Sequence, residues 1–99
     1  MITGKQRSYL KSLANGIDPI VNIGKSELTD SVVNAVDEAL NARELVKVKI
    51  QDGAECRPKE VCEELAGRLN AEFVQAIGKK FVLYRQARNP EKRKIVLPR

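Results

Sequence analysis

Histidine is absent from the 99 residues, and with it goes the commonest general base and the usual partner of a serine or cysteine nucleophile. Cys56 and Cys62 stand six apart, so a single chain offers neither the ligand spacing of a zinc site nor a Cys-x-x-Cys redox pair. Two reduced thiols, with Cys62 packed in a core, are expected. No catalytic residue, no metal and no cofactor is therefore expected. Tryptophan is missing as well, and the four aromatics are Tyr9, Phe73, Phe81 and Tyr84. With both phenylalanines needed inside, little is left for stacking on bases. No apolar run nears the length of a membrane span, and Met1 to Lys5 lack the apolar stretch of a signal peptide, so a cytoplasmic protein without membrane contact is expected.

What the chain has is positive charge, unevenly spread. Its formal net charge is +5. Residues 1–17 carry Lys5, Arg7 and Lys11 with no acid, residues 18–78 carry seven bases against twelve acids, and residues 79–99 carry eight bases against Glu91 alone. Basic ends that met in space would form a surface of the kind polyanions recognise. The length suits one domain over residues 1–99, because a chain of this size buries roughly two-thirds of its unfolded surface.

The stretch from Ile20 to Thr29 passes from β-branched residues through Gly24, Lys25 and Ser26 into a helical pattern. Free backbone N–H groups, the positive end of a helix dipole and a lysine would then share one small loop, an arrangement that suits phosphate. A nucleotide-binding P-loop is excluded, because the glycine it needs five positions before Gly24 is Pro19. A Gly-x-x-Gly turn of the kind that holds single-stranded RNA matches at Gly24 but has Glu27 in the fourth place. An ordinary strand-to-helix connection, with Gly24 for the turn and Ser26 or Thr29 as cap, explains the same residues.

Along the chain, Thr3 and Gln6 form a capping-box pattern ahead of Leu10, Leu13, Ala14 and Ile17, which predicts a first helix. Asn15-Gly16 should stop it in a left-handed conformation. Arg7 and Lys11 share a flank that the apolar stripe does not use. A short strand is predicted over 19–23 and a second helix from Leu28 or Thr29 to about Ala42. Residues 45–50 alternate, sending Val46, Val48 and Ile50 inward and Lys47 and Lys49 to a wet, basic face. Arg57 and Pro58 open a third helix, whose stripe is Val61, Cys62, Leu65, Ala66 and Leu69. A hairpin follows over 71–77 and 81–85, with Gly78 supplying a positive φ. Phe73, Ile77, Phe81 and Leu83 are expected in its core and Tyr84 and Arg85 at its edge. Residues 86–94 read as a basic, mobile loop, and 95–97 as a short edge strand stopped by Pro98. The predicted fold is α/β and two-layered, in the order α-β-α-β-α-β-β. It has a mixed four-stranded sheet carrying the second and third helices on one face.

Several segments together resemble one family. They are the opening from Lys5 to Lys11, the loop from Ile23 to Thr29, the strand from Leu45 to Lys49, the hairpin from Gln75 to Arg85 and the ending from Arg93 to Pro98. In this order, along nearly the whole chain, they are similar to the YhbY-like proteins, the free-standing bacterial form of the CRM RNA-binding domain. The resemblance implies an architecture like the C-terminal domain of translation initiation factor three, and binding to ribosomal RNA on precursors of the large subunit. It places the family's Gly-x-x-Gly loop on Gly24, Lys25, Ser26 and Glu27, with an acid where the second glycine usually stands. A carboxylate there would repel RNA unless it pointed away.

The function expected is that of a monomeric, non-catalytic RNA-binding protein that assists assembly of the large ribosomal subunit. Gly24, Lys25, Ser26 and Glu27 would form the phosphate loop. Arg7 and Lys11 on the first helix, Lys79 and Lys80 at the hairpin, and Arg88, Lys92, Arg93 and Lys94 in the terminal loop would supply sequence-independent attraction. The alternative is a protein-interaction module that docks on a ribosomal protein through the same basic patch.

Overall fold

A capping box starts the first helix where the spacing predicts. Thr3 Oγ1 accepts from the Gln6 backbone N–H at 3.1 Å, and Gln6 Oε1 accepts from the Thr3 N–H at 2.9 Å. Two N–H groups at the mouth of α1 (Gly4–Ala14) are thereby satisfied. The structure is a computed structural model that describes residues 2–24, 28–52 and 57–98. The end of α1 departs from expectation. Asn15 keeps a right-handed φ of −62°, and the N–H groups of Gly16 and Ile17 return to the carbonyls of Leu13 and Ala14. This tightened final turn needs no left-handed residue.

β1 (Val21–Ile23) precedes α2 (Asp30–Arg43), which Thr29 caps by accepting from the Val32 N–H at 3.2 Å. β2 (Leu45–Ile50), α3 (Pro58–Leu69), β3 (Glu72–Ile77) and β4 (Lys80–Tyr84) follow, then a 3₁₀ turn at Pro90–Lys92. α3 ends on the left-handed Asn70, which lets the Ala71 N–H reach back to the Ala66 carbonyl. The sheet order is β1-β2-β4-β3, with β1 parallel to β2 and the other pairs antiparallel. The mixed four-stranded α/β fold expected from the sequence is the one observed.

One sheet face carries the main core. Val46, Val48 and Ile50 of β2, Phe81 and Leu83 of β4 and Ile23 of β1 pack against Val36 and Leu40 of α2 and Cys62 and Leu65 of α3. Burial pushes the Cys62 thiol up to about 12, helped by the neighbouring Glu63 charge, so it is the inert core residue expected. Cys56 lies outside the described residues. The opposite face is not simply wet. Leu45, Val74, Val82 and Tyr84 form a second core there beneath Leu10 and Ala14 of α1, with Leu13, Ile17, Ile95 and Leu97 packed around it.

Three expectations are corrected by this arrangement. Ile77 is 68% exposed rather than in the core. A bulge between Phe73 and Gln75 adds a residue to β3, so Ala76 takes the inward place and Ile77 the outward one. Tyr84 is buried because β4 is an interior strand covered by the second core. Residues 95–97 form no strand but lie across the second core, where apolar burial replaces a ladder.

Candidate nucleic-acid interface

Register decides which cations can act together. β1 and β2 both run toward the end of the sheet where the β3–β4 turn sits. There the Gln51 N–H donates to the Ile23 carbonyl at 2.8 Å, and the Ile50 N–H to the Lys79 carbonyl at 2.7 Å. Gly24 and the hairpin turn are therefore corners of the same sheet end. Gly78, at φ 59°, takes the first central place of a two-residue turn and carries Lys79 beside it. A Cβ at Gly24 would meet Gln51 Oε1 at 3.4 Å, the tip of a flexible side chain. Lys25, Ser26 and Glu27, on which the phosphate-loop expectation falls, lie outside the described residues.

Arg7 and Lys11 face the outer edge of β3. Arg7 Nε donates to the Phe73 carbonyl at 3.1 Å, at the bulge where the edge strand has a free acceptor. Lys11 lines the same shallow groove, together with Lys59 and Glu63 of α3 and Ile77 of β3. The α1 flank and the hairpin turn thus border the half of the second face that α1 leaves uncovered. Lys79 approaches Asp52 only at 4.0 Å, with both side chains in solvent.

The C-terminal cations sit elsewhere. Arg88 and Lys92 share a depression with Glu38, Asn41 and Ala42 of α2, at the opposite end of the sheet from Gly24, and Arg88 lies 3.7 Å from Asp37. Arg93 Nε donates to the Ala87 carbonyl at 2.8 Å. Lys94 reaches a groove of about 590 Å³ on the second face, whose walls include Arg43, Lys47, Ile17, Ile20 and one acid, Asp18. The structure therefore places Lys79 and Lys80 at the Gly24 end of the sheet and Arg7 and Lys11 along the outer edge of β3, and sets Arg88, Lys92 and Arg93 apart from both.

The residue that holds the tail in place was not singled out from the sequence. Glu44 is fully buried, and its carboxylate accepts backbone N–H groups from Ala87 at 2.9 Å, Lys94 at 2.6 Å and Ile95 at 3.0 Å. Burial alone would raise its pKa, but those three donors and the Arg93 charge outweigh it and hold the carboxyl below its ordinary value. The one signal in the sequence is an acid in the short joint between a helix and a strand, a place where a positive φ usually selects glycine. Arg85 was expected at an edge. It is instead tied to Asp37 at 2.9 Å, to Asn41 Oδ1 and to the Leu69 carbonyl, which joins α2 to the end of α3.

With this geometry in view, a family model for the CRS1 / YhbY (CRM) domain matches residues 2–85. The chain belongs to that family. This CRM domain is 38% identical over 98 residues to the Bacillus subtilis protein named "Probable RNA-binding protein YqeI", covering 99% of this chain and all of that one. It is 38% identical over 99 residues to a Haemophilus influenzae protein named "RNA-binding protein", covering 99% of this chain and 96% of the other. The solution structure of Staphylococcus aureus SAV1595, described as a candidate RNA-binding protein, superposes with a TM-score of 0.80 at 39% identity. It covers 99% of this CRM domain and 100% of its own chain. Arg7, Lys11, Gly24, Lys79 and Lys80 fall inside the family-matched span, and the cations from Arg88 to Lys94 fall beyond it.

Proposed function

We propose that this CRM domain binds RNA, specifically ribosomal RNA in a precursor of the large subunit, as an assembly factor that performs no chemistry of its own. The observation that carries the reading is an exposed, basic part of one sheet face: Lys49 and Lys80 stand opposite each other on it, Lys79 sits in the adjoining turn at the Gly24 end, and Arg7 and Lys11 line the outer edge of β3. Cations on rigid elements bind a sugar-phosphate backbone by charge and position, which sets register without reading bases. The names of the relatives point the same way, and the ribosomal target follows from the family resemblance. Fluorescence anisotropy of the whole chain against large-subunit precursor fragments and length-matched unrelated RNA tests it. Affinity is expected to fall with salt at a log–log slope of about −2 to −4, as three to five neutralised phosphates require. The precursor fragments should also bind more tightly than the unrelated RNA. A flat salt response would remove binding through phosphates, no affinity for any RNA would remove RNA binding, and equal affinity for all RNAs would remove the ribosomal target.

A further inference from the structure

The strand register lays two rows of side chains across the second face, the first exposed throughout and the second centred on Val82, which α1 covers. Asn22, Lys49, Lys80 and Ile77 stand opposite one another on β1, β2, β4 and β3. Lys47, Val82 and Gln75 form the next row, with the Ile20 N–H bonded to the Lys47 carbonyl at 3.1 Å. Neither row contains an acid. Lys49 and Lys80 are direct cross-strand partners, so their Cβ atoms are about 5 Å apart and their charges repel. Among the described residues, Lys47, Lys49 and Lys80 make no ion pair and no side-chain hydrogen bond. A sheet that had only to fold would be more stable with an acid or a threonine opposite Lys49. At the outer strands, Ile20 is 42% exposed and Ile77 68% exposed, so apolar surface lies on both sides of the lysines.

We infer that this open half is a track for single-stranded RNA whose backbone follows β2, with Lys47 and Lys49 holding successive phosphates and Lys80 closing on the second. The inference deepens the proposed function and rests on it. Lys47 and Lys49 are two residues apart on one face, a step of about 7 Å, comparable with the spacing of phosphates along an extended strand. Bases turned outward from that backbone meet Ile77 or Ile20, aliphatic contacts that read no base edge and so tolerate any sequence. A duplex does not suit the strip. α1, a cylinder about 10 Å across, stands along its border and would meet a rigid double helix before the sheet did.

The test compares two double variants of the full chain that lose the same charge. Lys47→Gln/Lys49→Gln alters the track, and Arg57→Gln/Arg68→Gln alters two exposed cations, one at the cap of α3 and one within it. The probes are a 12-nucleotide RNA and the same strand annealed to its complement. The wild-type chain should prefer the single strand. The track variant should bind it about tenfold more weakly near physiological salt, with the salt slope shallower by about 1.4, the loss of two single-strand phosphate contacts. The α3 variant should change the slope by less than about half as much. Because the track variant removes a repulsion, its melting temperature should not fall. As a second measurement on the unmodified chain, the methyl signals of Ile20 and Ile77 should shift when the single strand is added. Equal losses in the two variants, equal binding of duplex and single strand, or methyl signals that stay in place would each overturn the track while leaving RNA binding intact. Failure of the wild-type chain to bind either probe would remove both readings together.

Discussion

Glu44 shows how much one side chain can organise. It alone joins α2 to β2, at φ 67° and ψ −37°, a backbone region that costs a non-glycine residue about 1–3 kcal/mol. Glycine would avoid the strain but has no carboxylate to accept the N–H groups of Ala87, Lys94 and Ile95. Those donors depress the folded-state pKa. The ionised carboxylate therefore stabilises the fold at pH values above the unfolded pKa, and that stability disappears as pH falls through the lower, folded one. Glu44→Gln keeps the shape but presents an amide N–H₂ to at least one donor, which should cost about 2–4 kcal/mol at pH 7. Urea unfolding at pH 7, 5 and 3 checks this. The wild-type advantage should shrink across the acidic steps, and a constant gap at all three pH values would show that the carboxylate's charge contributes nothing.

Among the elements, the β2–β4 pair is where function and stability pull apart. A double-mutant cycle with Lys49→Gln and Lys80→Gln should show a repulsion of about 0.2–0.5 kcal/mol between the partners in low salt. It should vanish near 1 M sodium chloride, where the screening length is about 3 Å. Urea rather than guanidinium must be the denaturant, since the latter is itself a salt. Zero coupling in low salt would mean that the two ammonium groups swing away from each other. The alternation of Lys47 and Lys49 with Val46, Val48 and Ile50 was legible in the sequence because period two is a local signal. So were the capping box, the valine-rich α2 and the Gly78 turn. The bulge beside Val74 was not, since no glycine or proline marks it, and losing it misplaced Ile77. The seat of α1 over Leu45, Val74, Val82 and Tyr84 was also hidden, because an amphipathic stripe shows that a helix packs but not on which face. For the site, the separate basic groups could be read directly. Their separation among the hairpin turn, the β3 edge and the side of α2 depends on register and on where Glu44 pins the tail, neither of which is a local property.

At the scale of the whole molecule, the two ends of the chain close the second core together. Gln6 Nε2 donates to the Pro98 carbonyl at 3.0 Å, the Ile2 N–H to Glu72 Oε1 at 2.8 Å, and Ile95 and Leu97 pack where α1 meets the sheet. The family-matched span ends at residue 85, yet the residues beyond it complete a core that the matched residues leave open. A chain ending after Arg93 would lose two of the three backbone donors to Glu44. It would also lose the partial burial of an isoleucine and a leucine, worth about 1 kcal/mol each. Leaving the buried carboxylate short of partners adds about 1–3 kcal/mol, so the total is a large share of the roughly 5–15 kcal/mol that holds a domain of this kind folded. Thermal melts should place the shortened chain well below the full one. Because the tail and Glu44 share the same contacts, Glu44→Gln should cost at least about 1 kcal/mol less in the shortened chain than in the full chain. Equal melting points would mean that 94–98 is a ribbon resting on the surface. Additive losses would mean that Glu44 and the tail stabilise the fold independently.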